Sequence, residues 1–346
     1  MLESKQVRFY ELGGSEVLKI EMVSSAKPSR GEVQIKVEVI GLNRAENLYR
    51  AGYYLYQPSH FPSPIGYEAV GVVEAVGEGV TEFIPGDRVS TIPAFKMSEY
   101  GVYGETAIVP VHAVTQYPAS LSPEEAASVW MQYVTAYGAL IHYGNLQRGQ
   151  VALFTAATGG LGVAAIQIAR QVGAISIATT RSQAKKPLLE SLNPDHIIVT
   201  GEEDLQTRVL EITHGRGVDF VWDAVGGKDF PKLVDLTAFG GQINIYGALD
   251  LDSVAEIPMP WFQMISKGIA IRGYTLFELT YNPDRFGTEK PYDPVAYPNA
   301  KQFIFEGLQS GVLKPIVAKV FPFERIVEAH DYVEKNQELG KVVVKL

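Results

Sequence analysis

Residues 151 to 186 constrain this chain more than any other stretch. They begin with an apolar run, Val151-Ala152-Leu153-Phe154, the length of a buried strand. The run leads into Ala156-Ala157-Thr158-Gly159-Gly160-Leu161-Gly162. An Ala-rich series of helix formers from Val163 to Arg170 follows and stops at Gly173. Ala174 to Thr179 is a second strand, ending at Thr180-Arg181-Ser182. Strand, glycine turn, helix and strand fit within the ~30 residues of a βαβ unit that holds a dinucleotide.

In such a unit Gly159 and Gly160 permit a tight turn and a close backbone approach to a pyrophosphate, because neither carries a Cβ. Gly162 is expected to let the helix pack closely on the strand. Free N–H groups of the first helical turn face the anion, helped by the positive end of the helix dipole. Ala156 stands where the commoner fingerprint has its first glycine. The end of the second strand selects the cofactor. An NAD site has an acidic residue about 20 residues after the glycines, for the ribose 2′-hydroxyl. This chain offers Thr180, Arg181, Ser182, Lys185 and Lys186 instead. Guanidinium, hydroxyl and ammonium groups suit a 2′-phosphate, so the expected cofactor is NADP(H).

At 346 residues and 46% hydrophobic content the chain is long and apolar enough for two domains with real cores. A net charge of −9 argues against nucleic acid or an anionic membrane as partner. Cysteine is absent, which removes disulfides, Cys-ligated zinc and thiol catalysis. Met1 to Tyr10 is charged and strand-like, with no apolar leader core, and no apolar run reaches the ~18 residues of a membrane span. The expectation is a soluble, cytoplasmic protein.

From Val7 to about Val114 short alternating strands are punctuated by Gly, Pro and Asp, as in Val33-Gln34-Ile35-Lys36-Val37-Glu38-Val39. This predicts a compact β-barrel-like domain, with Gly77-Glu78-Gly79 as a turn. Ser122-Pro123-Glu124-Glu125 is a capped helix start, and the helix is expected to run through Trp130, Met131 and Tyr137. After Lys186 helices and strands alternate. Strands are expected at His196 to Val199, Val218 to Asp223, Gly241 to Gly247 and Ile269 to Tyr274. Helices are expected at Pro187 to Leu192, Leu205 to Thr213 and Phe230 to Ala238. Such alternation predicts a doubly wound parallel sheet. Tyr281 to Tyr297, rich in Pro and Tyr, reads as a surface loop. A helix from Pro298 to Ser310, a strand from Ile316 to Val320, a helix from Phe323 to Asn336 and a strand from Lys341 to Leu346 complete the chain. The last strand is expected to return to the first domain's sheet.

With these residues in view, the chain resembles the medium-chain dehydrogenase/reductase superfamily, and within it the zinc-independent quinone oxidoreductase (zeta-crystallin-like) branch. The resemblance rests on Gly41-Leu42-Asn43-Arg44-Ala45-Glu46, Arg50-Ala51-Gly52-Tyr53-Tyr54, Gly66-Tyr67-Glu68-Ala69-Val70-Gly71, Gly77 with Gly79, and Pro85-Gly86-Asp87-Arg88-Val89. Ala156 to Gly162, Gly217-Val218-Asp219, Asp223-Ala224-Val225-Gly226-Gly227 and Gly340-Lys341-Val342-Val343 match as well. It implies an α/β chain with a Rossmann doubly wound parallel-sheet cofactor domain at residues 125–280. A GroES-like β-barrel catalytic domain would comprise residues 1–124 and 281–346.

Zinc alcohol dehydrogenases of this superfamily place their metal ligands at positions that fall here on Asn43, Tyr67 and about Met131. Amide, phenol and thioether do not assemble a tight zinc site. The six histidines are scattered without metal-ligand spacing, so no metal is expected. Hydride must then go to an acceptor already polarised by conjugation, a quinone or an α,β-unsaturated carbonyl, stacked on the nicotinamide in a cleft between the domains. The resemblance implies Asn43 as a hydrogen-bond donor to cofactor or carbonyl. It makes Tyr54 the active-site Tyr, orienting substrate or relaying a proton, and Tyr67 a second candidate beside its packing role.

Thr135 is implied near the nicotinamide. Asp223, Val225, Tyr246, Gly247 and Ala248 end successive strands at the sheet's carboxyl edge, where a dinucleotide lies. Several relatives have a Tyr after the strand that ends here at Val199; this chain has Thr200, with Arg181 in position to compensate. The strand Ile269 to Tyr274 is where the superfamily pairs sheets, so a homodimer is expected. Two other functions are compatible with the residues: an enoyl-thioester reductase of the same superfamily, and a non-catalytic NADPH-binding protein.

Overall fold

The strand Glu32–Gly41 buries alternate residues from Val33 to Val39 and is buried throughout from Val39 on, and it forms the spine of the first of two units. It pairs antiparallel with Glu68–Val76, setting Val39 against Val70 and Ile40 against Ala69, and with Thr106–Pro110. The terminal strand Lys341–Lys345 does return to this sheet, antiparallel to Glu32–Gly41 and parallel to Val317–Pro322. A separate three-stranded sheet is built from Glu3–Phe9, Lys19–Ser24 and Ser63–Pro64. Val39, Val70, Ala126, Ala127 and Val343 share one core cluster. This is the expected β-barrel-like unit.

The structure, a computed structural model, describes residues 3–249, 257–286, 289–335 and 339–346. The expected limits at Met1 and Asn336 fall outside the described residues, as does part of the 281–297 segment.

The second unit holds a six-stranded sheet, parallel throughout. Its order runs from His196–Val199 through Ile175–Thr180, Val151–Phe154, Val218–Asp223 and Thr237–Ile245 to Ala270–Gly273. The first strand in sequence, Val151–Phe154, lies between the second and fourth, so strand order reverses beside it. That reversal is the switch point at which doubly wound sheets bind ligands, beyond the strands' carboxyl ends. Leu153, Ile177, Ile198, Val221 and Ile243 fill the core from successive strands. The helix Gly160–Val172 buries every residue from Gly162 to Ala169. Gly173 ends it as expected, at φ 81°, with the Ala174 N–H returning to the Ala169 carbonyl at 2.9 Å. Among the described residues no helix is long and apolar enough to cross a membrane.

Besides short helices that were not expected, such as Arg44–Ala51 and Trp261–Lys267, the structure departs from the expected organisation most clearly in four places. The helix begun at Ser122 has its capping box, with Glu125 N 3.2 Å from Ser122 Oγ and Ser122 N 2.8 Å from Glu125 Oε2. It nevertheless spans only Pro123–Ala126. A new helix, Trp130–Tyr137, starts where Glu68 Oε1 accepts from Met131 N at 2.9 Å, and a π-helix, Gly138–Tyr143, follows. A carboxylate from a distant strand therefore caps the second helix, which local pattern cannot reveal. The helix at Phe230 ends at Leu236, because Thr237 already belongs to the next strand.

The 281–297 segment is more than a surface loop. It includes the helix Pro283–Phe286, and Tyr297 is buried with its hydroxyl donating to the His112 carbonyl at 2.9 Å. Asp293 Oδ1 accepts from Ala296 N at 2.7 Å, at the head of the helix Ala296–Gln309. Finally, the units are Met1–Met131, Leu279–Tyr297 and Pro315–Leu346, and Gln132–Glu278 with Pro298–Lys314. The expected 281–346 block is divided because Gln167 takes up the backbone of Lys314 twice: Nε2 donates to its carbonyl at 3.0 Å and Oε1 accepts from its N–H at 2.8 Å.

Candidate functional site

In the second unit the turn after Phe154 carries the first candidate residues. Ala156 adopts φ +48°, the left-handed region that glycine favours, so the position keeps the fingerprint's backbone shape without its glycine. Ala157 N ties the turn to the Thr179 carbonyl at 2.9 Å. The glycines divide their work differently from expectation. A Cβ on Gly159 would meet nothing within 4 Å, so the open face of the turn is there. A Cβ on Gly160 would lie 2.4 Å from Gln132 Nε2, and one on Gly162 would lie 2.2 Å from the Ala157 carbonyl oxygen. Gly162 therefore closes the turn on itself rather than packing helix on strand. Gly159 is the N-cap and offers no side-chain bond to the helix. Leu161 sits in the first turn and Thr158 is buried.

Because all six strands are parallel, the other carboxyl-end loops share this edge. Thr180 is buried, and its carbonyl accepts from Thr200 N at 2.8 Å. Thr200 thus serves as a backbone tie to the neighbouring strand. Arg181 and Ser182 are exposed and Lys185 half-buried. Among the described residues Arg181 has no ion-pair partner, and no carboxylate takes its place after this strand.

Asp223 is fully buried and already engaged. Its Oδ1 accepts from Thr155 Oγ1 at 2.7 Å and Val225 N at 3.1 Å, and its Oδ2 from Gly226 N at 2.8 Å. It shapes the loop from Ala224 to Gly227 at the sheet's carboxyl edge, its carboxylate spent on that loop's backbone. Tyr246 packs its ring 4.2 Å from that of Trp222, while Gly247 follows and Ala248 is exposed. A Cβ on Gly247 would crowd the Ala224 carbonyl at 2.7 Å, so the two strand-end loops are held together. Thr135 is buried on the helix Trp130–Tyr137.

The first unit contributes a tyrosine cluster and, beneath it, a buried charge network. Residues 53 to 57 alternate outward and inward, so Tyr53 and Leu55 are exposed while Tyr54 and Tyr56 turn in. The Tyr67 hydroxyl bonds to that of Tyr56 and donates to that of Tyr54 at 3.4 Å; Tyr56 in turn accepts from Met97 N at 2.9 Å. Burial, first among the causes, pushes all three phenols well above their ordinary range, so each stays neutral. Tyr56 is the member that motif reading missed. Its alternation with Tyr54 across one residue was the available signal.

Asn43 is committed on every side. Its Nδ2 donates to Glu46 Oε1 and Glu68 Oε2, each at 3.1 Å, and its Oδ1 accepts from Lys341 Nζ, which also donates to Glu68. The expected role of Asn43 as a donor to cofactor or carbonyl is therefore corrected: both amide hydrogens are in use. Glu46, Glu68 and Lys341 are buried as well. The Lys341 ammonium occupies the polar space beside Asn43, and a second cation there would be repelled. Among the described residues no three His, Asp or Glu side chains gather as a metal's donors would.

Two family models match the chain: an alcohol dehydrogenase GroES-like domain over residues 29–119 and a zinc-binding dehydrogenase domain over residues 160–286. The quinone oxidoreductase of Homo sapiens is 29% identical over 344 residues, covering 99% of this chain and 98% of that protein. The structure of Escherichia coli quinone oxidoreductase complexed with NADPH superposes with a TM-score of 0.84 at 27% identity, covering 99% of this chain and 100% of the other. The CurK enoyl reductase superposes with a TM-score of 0.85 at 26% identity, covering 99% of each chain.

Proposed function

The chain belongs to the medium-chain dehydrogenase/reductase superfamily, in its zinc-independent quinone oxidoreductase branch, and from that premise we propose that it transfers hydride from NADPH to a quinone or an α,β-unsaturated carbonyl. The observation that carries the cofactor half is the parallel sheet's carboxyl edge. An open backbone at Gly159 precedes the helix Gly160–Val172, and an exposed guanidinium, Arg181, ends the adjacent strand where an NAD site has a carboxylate. The turn's amides would hold the pyrophosphate, and Arg181 with Ser182 and Lys185 the 2′-phosphate. When bound, the nicotinamide supplies the hydride.

The tyrosines of the first unit carry the acceptor half. A neutral hydroxyl on Tyr54, held by Tyr67, donates a hydrogen bond to an acceptor's carbonyl oxygen and orients it. With its proton held this firmly, Tyr54 is a poor acid, and the proton that completes reduction comes from water. Conjugation in the acceptor does the polarising that a metal does in zinc-dependent dehydrogenases.

The likeness to an enoyl reductase supports a second reading, reduction of an enoyl thioester. One assay separates the readings: oxidation of NADPH and NADH in parallel with 1,2- and 1,4-quinones, short enones and enoyl-CoA thioesters, with and without a chelator. Chelator-resistant, NADPH-selective turnover of quinones or enones is expected. Turnover confined to thioesters would move the assignment to the second reading, and tight NADPH binding with no turnover would leave a binding protein.

We also propose a homodimer. The strand Ala270–Gly273 is the sheet's edge, and the helix before it, Trp261–Lys267, exposes Trp261, Phe262 and Ile265. An apolar face beside an edge that no described strand pairs with favours a partner. Light scattering at micromolar concentration should give twice the chain mass, and a monomer would refute it.

A further inference from the structure

The helix Arg44–Ala51 carries Glu46, Asn47 and Arg50 into the interior of the first unit, none more than 5% exposed. His330 and Tyr103 close the same space. His330 Nδ1 is 2.7 Å from Asn47 Oδ1, and the Tyr103 and His330 rings meet edge-on at 5.8 Å. An amide oxygen only accepts, so Nδ1 carries the ring's proton and Nε2 presents a lone pair.

Five buried polar atoms here make no well-formed hydrogen bond among the described residues: Glu46 Oε2, Asn47 Nδ2, Arg50 Nε, the Tyr103 hydroxyl and His330 Nε2. Of these, the Tyr103 hydroxyl faces the Glu46 carboxyl and acts on it. Buried polar groups are normally paired. A gathering of unmatched donors and acceptors is the setting in which bridging water is held.

The charges nearby do not balance. Glu46 Oε1 accepts from Asn43 Nδ2 at 3.1 Å and from Tyr67 N at 3.2 Å. Lys341 donates to Asn43 and Glu68. The Arg50 guanidinium is taken by the Gly13 carbonyl and Glu334. Two buried carboxyls thus share one ammonium, and the one that the ammonium does not touch is the one to keep a proton.

We propose that Glu46 is a positioning residue held as a neutral carboxylic acid, its Oε2 proton donated into a water-bridged pocket formed by Asn47, Arg50, Tyr103 and His330, while Oε1 fixes Tyr67. Through Tyr67 it holds the hydroxyls of Tyr54 and Tyr56. The consequence for turnover rests on the hydride-transfer reading; the protonation state does not. The groups that act on Glu46 are Asn43 at the N-cap of its helix, Glu68 and Lys341 from two strands, Tyr103, and the tyrosines 54, 56 and 67, while Asn47, Arg50 and His330 close the rest of the pocket. Burial, opposed by Lys341 and Asn43, pushes its pKa up to about 7, which agrees with the charge count.

Infrared spectra of the full chain across pH test this, with Glu46→Gln and Tyr103→Phe beside the wild type. At about pH 6, where ordinary carboxyls are ionised, the wild type should show a protonated-carboxyl C=O band that disappears as pH rises through about 7. Glu46→Gln should lack it, and any change of kcat across that interval should flatten in the variant. Tyr103→Phe removes a donor to the ionised carboxylate, so the band should persist and its midpoint move upward. No band in the wild type, or a band intact in Glu46→Gln, overturns the proposal. If Glu46→Gln does not fold, an unmoved midpoint in Tyr103→Phe overturns it instead. Absence of turnover with every acceptor would sink the proposed reaction while leaving the infrared outcome decisive.

Discussion

Lys341, on the terminal strand, donates its ammonium to the amide oxygen of Asn43, and both Nδ2 hydrogens of Asn43 are spent on Glu46 and Glu68. Asn43 therefore belongs to the frame beneath the tyrosines. Asn43→Ala would leave two carboxyls and an ammonium each short of a partner in a buried setting. A loss of about 2–4 kcal/mol is expected, read as a lower urea midpoint. An unchanged midpoint with a raised acceptor KM would show instead that Asn43 touches substrate.

Tyr54 and Tyr67 differ in what they hold. Tyr54 is the end of the hydroxyl chain and Tyr67 its middle. Tyr54→Phe should lower kcat/KM for the acceptor about tenfold, the worth of one oriented hydrogen bond, and leave thermal stability nearly intact. Since burial raises all three phenols, the rate should show no tyrosine titration between about pH 6 and 9. A basic limb that vanishes in Tyr54→Phe would restore a direct acid role.

Ala156 sits at φ +48° where the turn calls for glycine. Ala156→Gly should relieve about 1 kcal/mol of backbone strain, partly offset by the added freedom of the unfolded chain. A small rise in melting temperature is expected. A fall would mean that the Ala156 methyl contributes packing that outweighs the strain.

What was legible in the sequence was whatever depends on local pattern. The βαβ unit could be read because Val151–Phe154, the glycines and Gly173 each carry their meaning within a few residues. The terminal strand could be placed because Lys341 to Leu346 has the strand pattern and matches a family motif. Contacts between distant residues could not be read. Nothing near Met131 announces that Glu68 caps its helix, and nothing near Asn43 announces an ammonium from position 341. The same holds for Asp223, whose place at a strand end suggested a cofactor contact. Its carboxylate is taken by Thr155, Val225 and Gly226.

Arg181 is the exposed guanidinium expected to meet a 2′-phosphate, and it has no competing ion pair among the described residues. Arg181→Ala should raise the KM for NADPH about 10- to 100-fold, from the loss of one charge-assisted contact, and leave that for NADH within about twofold. Equal losses with both cofactors would assign Arg181 to the adenosine or pyrophosphate instead.

His330 and Glu46 pull stability in opposite directions with pH. Burial first, then Arg50, lowers His330 from 6.5 to about 3. The unfolded chain therefore binds the extra proton between those values, and stability is lost as pH falls through that window. Glu46 is raised from 4.5 to about 7, so the folded state holds the extra proton and stability is lost as pH rises through its own window. The windows overlap from 4.5 to 6.5, where each group contributes about 1.4 kcal/mol per pH unit. In the wild type the two slopes should nearly cancel. Glu46→Gln removes one of them, so its stability should rise with pH across the overlap by roughly 2–3 kcal/mol relative to wild type. Urea unfolding at three pH values within the overlap measures this. Parallel curves for wild type and variant would show that Glu46 does not keep its proton.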